Sequence, residues 1–271
     1  TDKATIDELV EKHRKKSDVQ GISIAVIDRS GVVYATGYGV TGPNKSPANA
    51  ETNYAMGSVS KLFTATAIMQ LVEADKVHLD SALSTYIPEF SLKSSYPEHR
   101  QQFTIRNLLT HHSGITSDYL KGLLSEEPMT PDELIVALQE EYQALPSGTI
   151  SSYSNVAFVL LGEVIERVSG KPYTQYIQEE LLQPLGMANS GFYPYSEAVQ
   201  ANLSKGYRKG DWRYPYRFRE TAAGGLISNV QDMAQFARFV MHDGKLNDQQ
   251  LLDSATLAAM FVPQNTAAPF D

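Results

Sequence analysis

A lysine one turn into a segment that is apolar on nearly every side restricts this chain more than any other feature. After Ser58 the sequence runs Lys61-Leu62-Phe63-Thr64-Ala65-Thr66-Ala67-Ile68-Met69-Gln70-Leu71-Val72. A helix with that pattern has no polar face to turn to water, so it belongs between layers of other structure. The pattern predicts a helix from Ser60 to Ala74. Lys61 lies one turn past Ser58 on the row of Thr64, Ala65 and Ile68, so its ammonium loses water unless the fold supplies polar partners. An amine stripped of water gives up a proton more readily, which suits the acceptor that a serine hydroxyl needs. Spacing alone leaves a plainer reading open, in which Ser58 caps the helix and Lys61 snorkels out of its first turn.

Around this segment the chain reads as a mixed α/β (α+β) protein. Gly21 to Asp28 and Val32 to Tyr38 carry strand patterns on either side of the turn Asp28-Arg29-Ser30-Gly31, which makes a β-hairpin. Further helices are predicted at Ile105 to His111, Pro131 to Tyr142, Asn155 to Ser169 and Val230 to Met241. Their ends are punctuated: Thr130-Pro131-Asp132-Glu133 forms a capping box, Gly170 stops one helix and Asn229 precedes another. Helices crowd the middle of the chain after an early hairpin, so an α/β lobe beside an α lobe is expected. The 271 residues fit one catalytic domain, with 1–57 and 225–271 forming the α/β lobe and 58–224 the mainly helical one.

Charge and composition narrow the partners. Lys and Arg number 23 against 31 Asp and Glu, a net charge of −8, which disfavours nucleic acid. The run His13-Arg14-Lys15-Lys16 closes an amphipathic N-terminal helix, where positive charge complements the helix dipole. There is no cysteine, hence no thiol nucleophile or thiolate metal site. No apolar stretch approaches ~18 residues, so no membrane span is expected, and the chain opens on a polar helix in place of a signal sequence. Gly37-Tyr38-Gly39-Val40-Thr41-Gly42 matches a dinucleotide fingerprint, but Pro43 and Pro47 follow where a helix is needed. No Gly-x-Ser-x-Gly occurs, and the adjacent His111 and His112 diverge on a helix, so neither an α/β-hydrolase elbow nor a catalytic metal is expected. Those histidines are expected to fix their loop, and no cofactor is called for.

A second polar segment, Pro146-Ser147-Gly148-Thr149-Ile150-Ser151-Ser152-Tyr153-Ser154-Asn155, is a turn-rich loop that enters an apolar helix. A phenol beside Lys61 can relay a proton, and the Asn155 amide can orient the lysine and donate to a substrate carbonyl. Alternatively Tyr153 packs at a lobe boundary and Asn155 caps its helix. The stretch Trp212-Arg213-Tyr214-Pro215-Tyr216-Arg217-Phe218-Arg219 either lines the substrate cleft, with Arg217 binding a carboxylate, or is an exposed aromatic hairpin.

Together, Gly57-Ser58-Val59-Ser60-Lys61 and Tyr153-Ser154-Asn155 resemble the Ser-x-x-Lys and middle motifs of the serine β-lactamase and penicillin-binding protein superfamily, in its class C branch. Leu108 to Gly114, Pro184-Leu185-Gly186-Met187 and Ala223 to Ser228 look like landmarks of the same family in the same order. The resemblance implies a β-lactamase/DD-peptidase-like fold, an antiparallel sheet flanked by helices beside a helical lobe. It implies that Ser58 attacks a carbonyl while Lys61 and Tyr153 move its proton, that backbone N–H groups including that of Ser58 hold the oxyanion, and that water releases the acyl group. Substrates would be β-lactams, D-amino-acid peptides or esters, small molecules or peptides met in the periplasm or outside the cell. Two alternatives stay open: a carboxylesterase or D-amino-acid peptidase of the same family, and a penicillin-binding receptor acylated without turnover. The family's third motif, Lys-Thr-Gly or His-x-Gly on a late strand, is not found, since His242-Asp243-Gly244-Lys245 follows a helix and reads as a turn. C-terminal strands are therefore expected to be missing from this chain and supplied from elsewhere, for example by a C-terminal fragment of the same protein.

Overall fold

The computed structural model describes residues 2–96, 103–124, 127–213 and 218–264. From the N-terminus, α1 (Lys3–Lys16) leads into β1 (Gly21–Asp28) and β2 (Gly31–Gly39). A short strand β3 (Tyr54–Ala55) and a 3-10 turn (Gly57–Val59) precede α2 (Ser60–Glu73). The helices α3 (Ile105–Leu109), α4 (Pro131–Leu138), α5 (Asn155–Ser169), α6 (Tyr173–Ile177) and α7 (Glu197–Ala201) follow. After the hairpin of β4 (Gly206–Arg208) and β5 (Asp211–Arg213) come α8 (Thr221–Gly224), β6 (Ile227–Ser228) and α9 (Val230–Met241). The hairpin of β7 (Lys245–Leu246) and β8 (Gln249–Gln250) and then α10 (Ser254–Ala259) come last.

The β1–β2 hairpin is closed by an Asp28 side chain that accepts from the backbone N–H groups of Ser30 (2.7 Å) and Gly31 (3.2 Å), the usual way an aspartate holds a turn. Register runs from Gly21 opposite Gly39 to Asp28 opposite Gly31, with an irregularity between Val26 and Ile27. Arg14 near the end of α1 reaches the Val19 carbonyl at 3.0 Å and pairs with Glu11, so the basic helix end is tied to the approach to β1. Helix α9 packs against both strands. His242, just past α9, meets the Arg29 carbonyl at 2.8 Å in the hairpin turn, so His242-Asp243-Gly244 lies in a turn and not on a strand. Among the described residues β1 and β2 pair only with each other, and Val26, Val32 and Val33 are exposed.

Helix α5 is the axis of the helical part. Its residues from Val156 to Ile165 are buried, and it contacts α2, α3, α4, α6 and α8. Helix α2 buries Phe63, Ala67, Ile68 and Leu71, each large side chain worth roughly 1.5–3 kcal/mol of transfer from water. Phe63 meets Phe236 of α9 with ring centroids 4.4 Å apart, so one continuous core joins the helical part to the helix that backs the hairpin. At Gly162 of α5 an added Cβ would lie 2.7 Å from the Ala222 Cβ, so the missing side chain lets α8 press directly on α5.

The observed helices follow the sequence pattern with two shortened ends. Helix α3 stops at Leu109, and His111 adopts a left-handed φ of 60°. Helix α4 stops at Leu138 because the next residues turn to another strand of chain: Lys93 N–H donates to the Glu141 carbonyl (2.9 Å) and Gln143 N–H to the Lys93 carbonyl (2.8 Å). The capping box at Thr130 and Glu133, the left-handed Gly170 after α5, and the Asn229 cap of α9 are all present. The result is a mixed fold of helices with small antiparallel sheets. None of its described helices is long and apolar enough to cross a membrane.

Candidate active site

Ser58 sits exposed in the 3-10 turn between β3 and α2. Gly57 before it takes φ +53° with open space around it, a backbone shape that costs a residue with a Cβ about 1–2 kcal/mol. Neither the turn nor α2 is closed by a side-chain cap, so the Ser58 hydroxyl does not play that part. Lys61 does not snorkel. It is only 7% exposed, and its ammonium donates to Asn155 Oδ1 at 2.6 Å, to the Ala223 carbonyl at 2.7 Å and to Ser58 Oγ at 3.4 Å. Three acceptors for three N–H bonds satisfy the buried charge that the sequence pattern demanded.

The other polar groups of α2 fasten the segment that supplies one of those acceptors. Ser60 Oγ accepts from Leu226 N–H at 3.0 Å and donates to the Gly57 carbonyl at 2.7 Å. Thr64 Oγ1 donates to the Ala222 carbonyl at 2.6 Å. Residues 222–226 are thereby stapled along α2 beside Lys61.

Tyr153 and Asn155 enter from the loop before α5. Ser154, not Asn155, caps that helix, its Oγ accepting from Ala157 N–H at 3.0 Å. The Asn155 amide is therefore available to Lys61, and its Nδ2 donates to Asp118 Oδ1 at 2.7 Å. Tyr153 is 45% exposed, with the Lys61 ammonium 4.8 Å from its ring centroid, a cation–π contact. Tyr153 also packs on the His111 ring, centroids 4.3 Å apart. His111 Nδ1 accepts from Ser154 N–H at 3.1 Å, and Ser152 N–H donates to the His111 carbonyl at 2.7 Å, so the histidine shapes the loop that carries Tyr153. Burial first, then the nearby Lys61 charge, pushes the His111 imidazole down to about 4, leaving it neutral at neutral pH.

Lys61 thus reaches Ser58 with its ammonium and lies against the Tyr153 ring where two helices begin, and the Beta-lactamase family profile matches residues 6–271. The chain belongs to the beta-lactamase family. Beta-lactamase-like protein 2 of Dictyostelium discoideum is 27% identical over 95% of the chain and 48% of its own length. This beta-lactamase-family chain thus spans about half the length of that relative. Among solved structures, the octameric penicillin-binding protein homologue from Pyrococcus abyssi superposes with a TM-score of 0.79 at 30% identity, covering 95% of this chain and 59% of the other. EstCE1, a hydrolase with promiscuous acyltransferase activity, also gives a TM-score of 0.79, at 22% identity over 93% of this chain and 74% of its own. At that identity the likeness is one of fold.

Two charged residues of this beta-lactamase-family site, Asp118 and Glu220, escaped the sequence reading, and Arg219, which closes the stretch singled out from Trp212, was given no role of its own there. The Arg219 side chain is wholly buried, donates to the carbonyls of Tyr119 (2.6 Å) and Lys121 (3.0 Å), and lies 3.5 Å from the Glu220 carboxylate. It straps the 119–121 loop to the approach to α8. Burial raises the Glu220 carboxyl above the usual range, and the Asp118 charge adds to that, while Arg219 and Lys61 oppose it. Their contacts are made between loops with no periodicity, so no spacing marked them. Arg217 lies outside the described residues. Trp212, in the same stretch, packs at a tilt against Tyr207 across the β4–β5 hairpin with centroids 5.1 Å apart.

Proposed function

We propose that this chain is a serine hydrolase that works through an acyl-enzyme on Ser58. The observation that carries the reading is the Lys61 ammonium, held by Asn155 and Ala223, in reach of Ser58 Oγ at 3.4 Å and against the Tyr153 ring. The Lys61 and Tyr153 pair first gives up one proton to water; Ser58 Oγ then attacks a carbonyl carbon, and its proton passes to the lone pair so exposed. The carbonyl's leaving group departs with a proton returned by that pair, leaving an ester on Ser58. Water then attacks the ester with the same pair taking its proton, the pair returns that proton to the departing Ser58 Oγ, and the acid is released. The exposed position of Ser58 beside buried Lys61 supports this division, a nucleophile open to substrate and a proton carrier shielded from water.

The substrate class is an acyl carbonyl of a β-lactam, a D-amino-acid peptide or an ester. All three share this chemistry and differ in pocket shape and water access. The relatives, a penicillin-binding protein homologue and a hydrolase with promiscuous acyltransferase activity, agree with that range. A panel of chromogenic esters and cephalosporins tests the reading. Product release by the parent is expected to fall to background in Ser58→Ala for every substrate that is turned over. Release that is undiminished in Ser58→Ala would place the chemistry elsewhere.

A further inference from the structure

Asn155 has an ammonium on one side and a carboxylate on the other. An amide placed between the Lys61 side chain, donor-only while it is an ammonium, and Asp118, which can only accept when ionised, has one compatible orientation in that resting form: oxygen toward Lys61 and nitrogen toward Asp118. The distances fit, 2.6 Å from Lys61 Nζ to Asn155 Oδ1 and 2.7 Å from Asn155 Nδ2 to Asp118 Oδ1. The second Asp118 oxygen is also engaged, accepting from Ser117 Oγ at 3.0 Å. The 116–118 loop is itself bound to the start of α5, with Asn155 N–H on the Ser117 carbonyl (2.8 Å) and Ser154 Oγ on the Thr116 carbonyl (2.8 Å). Asp118 is thus held at the helix end by groups that do not depend on Lys61.

We propose that Asp118 is a positioning residue for acyl transfer: it fixes the orientation of the Asn155 amide and, through it, keeps the Lys61 amine aimed at Ser58. This rests on the reading of Ser58 as nucleophile. The amide would otherwise be free to turn its NH2 group toward Lys61, setting donor against donor. Lys61 would then keep the Ala223 carbonyl as its strong acceptor and swing away from Ser58, which it reaches now at the edge of hydrogen-bond range. Arg219 and Glu220 are the neighbouring charges: they pair with each other at 3.5 Å, and the Glu220 carboxyl feels the charges of both Asp118 and Lys61.

The test is a double-mutant cycle read two ways. The side-chain amide signals of Asn155, assigned in the parent by their loss in Asn155→Ala, are expected to move in Asp118→Ala. Acylation by a fluorophosphonate is expected to slow about 10-fold in Asp118→Ala, the worth of one charge-assisted hydrogen bond. The same substitution in an Asn155→Ala background should change the rate by less than about twofold, because residues that act through one another do not add. Asp118→Asn keeps an acceptor for Asn155 and should stay within about threefold of the parent. Equal losses in both backgrounds, an Asp118→Asn as slow as Asp118→Ala, or unmoved Asn155 signals would overturn the proposal. A parent that is never acylated would instead sink the nucleophile reading and the role in acyl transfer, while the amide signals would still report whether Asp118 holds Asn155.

Discussion

His111 stands where a small ring has two jobs, to support Tyr153 from behind and to accept the Ser154 N–H. Its folded value near 4 lies below the ordinary 6.5. The unfolded chain therefore binds a proton that the folded one refuses, and stability rises with pH across that window. The contribution is complete above about 6.5 and is lost as pH falls toward 4. His111→Phe keeps a ring beneath Tyr153, removes the titration, and leaves Ser154 N–H without its acceptor at a cost of about 1 kcal/mol at every pH. Urea unfolding at pH 7 and pH 4.5 should show the parent losing more stability on acidification than the variant. Equal losses would mean that His111 titrates alike in both states. At this scale Ser58, Lys61, Tyr153 and Asn155 were legible because each stands in a short run of improbable company: a lysine in an apolar helix, a polar loop feeding an apolar helix. Asp118 was not, because its partner lies 37 positions away and meets it through loop geometry.

Helix boundaries were legible where a side chain sets them and obscure where tertiary bonds do. Thr130 and Asn229 start their helices locally, as the sequence indicates, and α5 starts at Asn155 as expected although Ser154, not Asn155, is its cap. The C-terminal end of α4 was overrun because Glu141 and Gln143 bond to Lys93, a partner that no local pattern announces. Gly162 shows the same limit in packing: nothing in its neighbourhood distinguishes it from a tolerated helix glycine, yet Ala222 occupies the space its side chain would need. Gly162→Ala gains about 1 kcal/mol of helix propensity and loses about 1–3 kcal/mol to overpacking against α8. The net expectation is a loss of stability, together with slower acylation as Ala223 is displaced from Lys61. A more stable variant with an unchanged acylation rate would show that the α5–α8 contact is slack.

At the scale of the whole molecule, the mixed helix and sheet architecture was readable because caps, turns and periodicity agree along most of the chain. The companions of the β1–β2 hairpin were not readable from it. Both of its outer edges are open among the described residues, and the chain covers 59% of the Pyrococcus abyssi homologue. One oxyanion donor typically supplies ~10²–10³ in rate, so a rate by itself does not identify the nucleophile. The decisive measurement is therefore one of stoichiometry, which long incubation secures even at a low rate. The protein is exposed to a fluorophosphonate or a penicillin, weighed intact, digested and mapped by peptide mass. The account predicts one adduct per chain on the peptide that holds Ser58, absent in Ser58→Ala and formed about 100-fold or more slowly in Lys61→Ala. An adduct of equal yield in Ser58→Ala, or one mapped to any other peptide, would contradict it.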